Sequence, residues 1–295
     1  MALAKKTTAT PLFACEITPT GVIGARAAME RDEVEVLYTR TLPAGALAPS
    51  LAAENVIQRE VVREAVLGVL EATGARSRDV IAVVPDAACR VTLLDFDTLP
   101  DRQQEASAIV RFRLKKSLPF DAEKAVISYR ATRDSQGVKV VAAIMLDTVL
   151  REYESLFEEF GSSPGVVVPS SVAALGLIDA AEATLALKVD PLSTSVAIVE
   201  SDQLLLYRTL EHAGKDTLTA EQLAEDIYPS VVYCQDNFHL SVRQLLVAGL
   251  PGFSQFAPAL EQHTGLRVRE MVPPGMPAGA TNKYEACGVA GALLG

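Results

Sequence analysis

Residues 186–212 read ALKVDPLSTSVAIVESDQLLLYRTLEH. An alternating apolar run reaches an acid, Asp190, and turns through a polar corner. A second alternating run and a tight turn lead into a third. This is a strand–corner–strand–turn–strand unit. The same unit stands at residues 11–40, where PLFACEI, VIGARAAM and EVEVLYTRTL follow one another around Glu16. A unit that recurs far along a chain of 295 residues predicts two similar halves.

Around the two units, strand and helix patterns alternate, which is the signature of an α/β fold. DVIAVVP is a buried strand, and CRVTLLDFDTLP is another. Asp101 is placed to cap the helix RQQEASAIVRFRLKKSL, which Pro119 stops. KAVISYRATR and VKVVAAIML are two strands joined by a turn at residues 135–137. Helical spacing predicts helices over 51–73 and 148–160, stopped by Gly74 and Gly161. GVVVPSSVAALGLIDAA is a strand followed by a helix. Thr219 and Gln222 form a capping box for a long helix to Phe238, with Pro229 a predicted kink. QLLVAGLPGF, PALEQHTG and LRVREMV read as strand, helix and strand, and YEACGVAGALLG as a small-residue helix.

Composition narrows the functional class. The chain is 49% hydrophobic and 22% charged, which is globular. A net charge of -10 disfavours non-specific binding to nucleic acid or anionic lipid. No apolar run approaches the ~20 residues that span a bilayer, and the start, MALAKKTTATPLFACEI, lacks a signal-peptide core. Cys15, Cys89, Cys234 and Cys287 lie far apart among apolar neighbours and read as reduced core residues. His212, His239 and His263 lack metal-ligand spacing. No metal site and no catalytic residue is predicted.

The order of these elements resembles the actin/sugar-kinase/Hsp70 superfamily. Within it, the sequence resembles the PilM-like type IV pilus assembly proteins, related to FtsA and the GspL cytoplasmic domain. Residues 93–129, LLDFDTLPDRQQEASAIVRFRLKKSLPFDAEKAVISY, carry the likeness through Leu99-Pro100, Glu105, Arg111-Phe112, Leu118-Pro119-Phe120 and Tyr129. VDPLSTSVAIVE, QLLVAGLPG and EACGVAGALLG extend it over nearly the whole chain. The resemblance implies a two-lobed actin-like fold. Residues 1–90 and 147–184 would form the first lobe, 91–146 a small inserted α/β subdomain, and 185–295 a reduced second lobe. The second lobe would lack the subdomain that closes over nucleotide, because only residues 213–218 separate its last hairpin strand from the long helix.

In that superfamily two hairpin corners present backbone N–H groups to ATP phosphates, and an acid on each corner holds magnesium. Glycine lets the backbone approach. Here Glu16-Ile17-Thr18-Pro19 replaces Asp-Ile-Gly, and Asp190-Pro191-Leu192-Ser193-Thr194 has leucine for glycine. The third motif, Ala248-Gly249-Leu250-Pro251-Gly252, has lost one glycine. A used ATP site would draw on Glu16, Thr18, Asp190, Ser193, Thr194 and Gly249. Taken singly, Glu16 reads as a solvated edge charge and Asp190 as a turn starter. The substitutions predict a degenerate site with no cofactor, Mg-ATP being the one that stays open.

The resemblance implies a cytoplasmic scaffold, peripheral to the inner membrane through its partner, in a pilus or related secretion platform. Its partner would be the N-terminal tail of a PilN-like membrane protein, with a pilus motor ATPase as a further candidate. Phe112, Leu118, Phe120 and Tyr129 are the candidate pocket residues. The basic helix face of Arg111, Arg113, Lys115 and Lys116 is a second candidate surface. The alternatives are an active Mg-ATP-binding ATPase of the same family and a sugar or acid kinase of the superfamily.

Overall fold

A computed structural model describes residues 11–75, 80–135, 137–158, 161, 164–201, 203–212, 218–276 and 283–295. The start of the chain, the middle of the 135–137 turn, the end of the predicted 148–160 helix and residues 213–217 lie outside them.

The two recurring units open two sheets of the same design. In the first, β1 (Phe13–Thr18), β2 (Gly21–Ala27) and β3 (Val34–Thr41) form an antiparallel meander. Parallel strands β4 (Val80–Val84) and β8 (Val166–Pro169) extend it on the other side of β1. The order is β3-β2-β1-β4-β8. In the second, β9 (Thr184–Val189), β10 (Ser193–Glu200) and β11 (Gln203–Glu211) form the meander. Here β12 (Gln244–Ala248) and β13 (Arg267–Glu270) are the parallel additions, in the order β11-β10-β9-β12-β13. β4 is buried along its length and reads VIAVV without alternation, as a strand covered on both faces must.

A third sheet stands apart. β5 (Arg90–Phe96), β6 (Ala125–Asp134) and β7 (Gly137–Leu146) run antiparallel in the order β5-β7-β6. One face is covered by α2 (Gln103–Leu114), through Val110 and Leu114 against Val140, Ala142 and Ile144. Each of these large apolar side chains contributes roughly 1.5–3 kcal/mol on burial.

The first sheet is covered on one side by α1 (Arg59–Ala72) and α3 (Asp147–Glu154). Val66, Val69, Leu70, Tyr153 and Phe157 meet Ile17 and Val22 there. The other side takes α7 (Cys287–Leu294), where Val289, Ala290 and Leu293 pack on Ala14, Ile23, Ile81 and Val83. This corrects the boundary drawn at residues 185–295, since the last helix returns to the first sheet. Its small residues permit that. A Cβ on Gly291 would lie within 2.0 Å of the Ala173 carbonyl oxygen. The second sheet packs on α5 (Ala220–Phe238) and α6 (Phe253–Thr264), with Leu223, Ile227 and Leu260 against Leu185, Leu187 and Val247.

Two local expectations fail for polar reasons. The helix expected from residue 51 begins only at Arg59. Asn55 is buried and organises residues 50–56 as a loop instead. Its Nδ2 donates to the carbonyls of Ser50 and Ala53, and Tyr153 donates to its Oδ1 at 3.0 Å. The backbone amides of Asn55 and Val56 donate to Glu152 Oε2 at 2.7 and 3.0 Å. Asparagine that bonds locally to the backbone competes with the helix. Asp101 does not cap α2. Arg102 takes the N-cap position without a side-chain cap, and Asp101 pairs with Arg133 at 2.8 Å. The Thr219–Gln222 capping box is present at the start of α5, and Pro229 lies within that helix.

Candidate functional site

The inner ends of β1 and β9 face one another between the lobes, and each brings its acid. Glu16 is fully buried rather than a solvated edge charge. Ser170, the first residue of α4 (Ser170–Ala174), donates its hydroxyl to Glu16 Oε1. Among the described residues, Glu16 Oε2 has no hydrogen-bond partner. Burial raises the Glu16 pKa, and Lys188 and the Ser170 bond oppose that shift.

Lys188 is the residue around which the site is built. It lies two positions before Asp190, on the same face of β9, and is 5% exposed. Its ammonium is 2.7 Å from Asp190 Oδ1 and 3.7 Å from Glu16 Oε1. Burial alone would lower its pKa, but Asp190, Glu16 and Asp86 together outweigh burial and raise it. The lysine therefore stays charged inside the protein.

A second acid, Asp86, follows Pro85 in a short 3₁₀ turn after β4 and is also buried. Its Oδ1 accepts from the Ser171 amide at 3.0 Å and the Ser171 hydroxyl at 2.8 Å. Its Oδ2 accepts from Ser195 Oγ, on β10, at 2.9 Å. The Tyr207 hydroxyl on β11 lies 2.6 Å from Ser171 Oγ and 3.2 Å from Ser195 Oγ. Burial, then the charge of Asp190, push the Asp86 carboxyl up to about 6. The lobes are thus joined by Lys188–Glu16, Ser195–Asp86 and Tyr207–Ser171.

Each hairpin corner bonds one of its own backbone amides. In the first, the Gly21 amide donates to Thr18 Oγ1 at 3.0 Å, and Thr18 Oγ1 donates to the Gly21 carbonyl at 2.8 Å. In the second, the Asp190 amide donates to the Ser193 carbonyl at 2.8 Å, and the His212 amide to the Leu192 carbonyl. Ser193 and Thr194 are buried, with Thr194 Oγ1 2.7 Å from His212 Nε2. Leu192 projects from the corner, 43% exposed. Gly249 has φ +76°, and a Cβ there would lie 2.2 Å from the Val189 carbonyl oxygen. Its glycine is demanded by the neighbouring backbone, not by a ligand. Among the described residues no group of three His, Cys, Asp or Glu side chains is placed to hold a metal ion.

The four candidate pocket residues divide. Leu118, Phe120 and Tyr129 are half-buried against the core of the three-stranded sheet, whereas Phe112 is 78% exposed on α2. Leu118 also lines a groove of about 800 Å³ where the first lobe, the three-stranded sheet's α2–β6 connection and the second corner meet. Leu51, Ala52, Pro119 and Leu192 share its wall, with Arg90, Lys116 and His212 beside them. The basic face of α2 is partly structural, because Arg111 donates to the carbonyls of Ala122 and Ala125.

Solved structures share this fold. Against a chain of a PilM–PilN type IV pilus biogenesis complex, the TM-score is 0.74 over 96% of both chains, at 18% identity. A Bacteroides thetaiotaomicron protein described as having an actin-like ATPase fold gives 0.55 over 90% of this chain and 91% of that one, at 11% identity. The chain has the actin-like fold. The cytoplasmic domain of EpsL, an inner-membrane component of the type II secretion system of Vibrio cholerae, gives 0.52 at 12% identity over 81% and 82%. No protein-family model and no curated protein matches the sequence. Within this actin-like frame, the inner ends of β1 and β9 are the two corners that the sequence singled out.

Lys188, Asp86, Ser170, Ser171 and Tyr207 were not singled out by sequence. One signal was present: Lys188 is the lone charge in the otherwise apolar strand TLALKV.

Proposed function

We propose that the protein is a scaffold of a type IV pilus or related secretion platform, holding the N-terminal tail of a PilN-like membrane protein, and that it works without nucleotide. The observation that carries the assembly role is the likeness to the PilM–PilN complex chain over 96% of both chains. The EpsL domain, from a different secretion machine, supports the same class of role. The protein would act in the cytoplasm, held at the inner membrane by its partner.

The groove beside Leu118 suits a short extended tail. It offers apolar wall from Leu51, Ala52, Pro119 and Leu192, with Arg90, Lys116 and Glu211 at hand to bond a peptide's backbone and polar side chains. Phe120 and Tyr129 act behind it, as core of the sheet that shapes the wall. The nucleotide-free reading is supported by the closed corners. Phosphate binding needs several convergent N–H donors, each charge-assisted bond contributing ~1.5–3 kcal/mol. Here Gly21 and Asp190 spend theirs internally.

Calorimetry with a synthetic N-terminal tail of a PilN-like protein tests the first half. Saturable binding is expected, weakened at least tenfold by Leu118→Asp, and no binding to any such tail refutes it. Calorimetry with Mg-ATP tests the second half. No heat of binding is expected, and micromolar affinity abolished by Asp190→Ala refutes it.

A further inference from the structure

We propose that Lys188 is the resident cation of the interlobe site, an ammonium built into the chain where carboxylates of two lobes would otherwise need a divalent ion to join them. This rests on the nucleotide-free reading of the site but concerns a different property, the occupant that keeps it so.

Three observations converge. First, the ammonium pairs with an acid from each lobe, Asp190 just after β9 at 2.7 Å and Glu16 of β1 at 3.7 Å, and the charge of Asp86 acts on it. Second, its position is on the cleft face of β9. Ala186 on that face packs with Ala174 and Cys287 from the first-lobe side, while Leu185, Leu187 and Val189 enter the second lobe's own core. A side chain at 188 therefore has to reach across the cleft, and lysine is long enough to put a cation there. Third, Glu16 Oε2 remains buried without a partner among the described residues, and three buried or part-buried acids, Glu16, Asp86 and Asp190, face one lysine. A buried anion without a cation is strongly unfavourable. A hard divalent ion with oxygen ligands is the chemical equivalent of what the lysine supplies. With the ammonium between Glu16 and Asp190, its positive charge repels a divalent ion from the same place.

The consequence is a lobe arrangement that is permanently fastened, where a soluble ion would come and go. The site's specificity then lies in one side chain. Lysine excludes divalent cations, and an uncharged residue of similar length admits them.

The test uses the full chain, metal-stripped, and thermal melting with and without millimolar Mn²⁺, with no nucleotide or peptide added. Wild type is expected to melt at the same temperature in both. Lys188→Met is expected to melt lower by on the order of 10 °C, and Mn²⁺ is expected to recover at least half of that loss. Calorimetry of the variant should then show one Mn²⁺ per chain. Glu16→Gln combined with Lys188→Met, which removes the stranded anion with the cation, should melt above Lys188→Met and respond less to Mn²⁺. If Lys188→Met is insoluble, its soluble yield should return on refolding in Mn²⁺ and in the Glu16→Gln combination. The proposal is overturned if Lys188→Met melts with wild type, if Mn²⁺ fails to rescue it, or if neutralising Glu16 does not help. None of these readings depends on whether ATP or a peptide tail binds, so the scaffold reading stands or falls separately.

Discussion

The two lobes share one strand order, yet they solve the same corner differently. In the first, Thr18 folds its hydroxyl back onto Gly21, and the acid, Glu16, is sealed below the corner among α4 and α7. In the second, the corner closes backbone to backbone between Asp190 and Ser193, and Leu192 turns outward into the groove. The first corner is thus closed by a side chain above a buried acid, the second by the main chain with Leu192 exposed. What they have in common is that each bonds a backbone amide, Gly21 or Asp190, within the corner itself. Two corners at equivalent places in one strand order can close by different bonds.

The comparison can be broken most severely at Gly249, beside the second corner. Gly249→Ala places a Cβ against the Val189 carbonyl at positive φ. A loss of about 4 kcal/mol is expected in urea unfolding. A loss below about 1 kcal/mol would show that β9 and the 249 turn are not tightly held.

Asp86 sharpens the contrast through pH. Its carboxyl titrates near about 6 in the folded protein against 3.8 ordinarily. Below about 4 both folded and unfolded chains hold that proton. Between the two values only the folded protein does, so this contribution to stability is lost as pH rises through about 6. Asp86→Asn should abolish that loss. The unfolding free energies of wild type and variant should diverge by about 2 kcal/mol between pH 4 and pH 6.5. Parallel profiles would show that Asp86 is not held protonated by its surroundings.

A smaller effect tests the second lobe's helix. Thr219→Ala removes the capping-box oxygen that accepts from the Gln222 amide at 3.2 Å. About 1 kcal/mol should be lost, without change in tail binding. The smallest effect is the most pointed. Thr18→Gly with Leu192→Gly restores glycine to both corners, but Lys188 still occupies the site between them. No Mg-ATP binding should appear in calorimetry. Its appearance would place the whole block in the corners and none in the lysine.

Much of the architecture was legible in the chain. Period-two alternation around Glu16 and Asp190 marked both meanders, because a side chain in a strand can face only one of two ways. The Thr219–Gln222 pair marked the start of α5, because a capping box is satisfied within four residues. Errors arose where a residue's partner is distant. Residues 51–58 have helical spacing, but Asn55 finds Glu152 and Tyr153 nearly a hundred positions away. Asp101 finds Arg133 in place of a helix end.

The site divides along the same line. Sequence alone determined that the two acids stand at equivalent corners and that Thr18 and Leu192 stand where glycine is expected, since those are properties of short, contiguous stretches. Only the tertiary structure decided what fills the space. It brought Lys188 between Glu16 and Asp190, set Asp86 against Ser171 and Ser195, and carried α7 from the end of the chain back onto the first sheet. The reason is physical. Whether a charge in an apolar strand is a tolerated surface group or a central cation depends on which carboxylates meet it across the cleft, and no local pattern encodes a contact between residues 16 and 188.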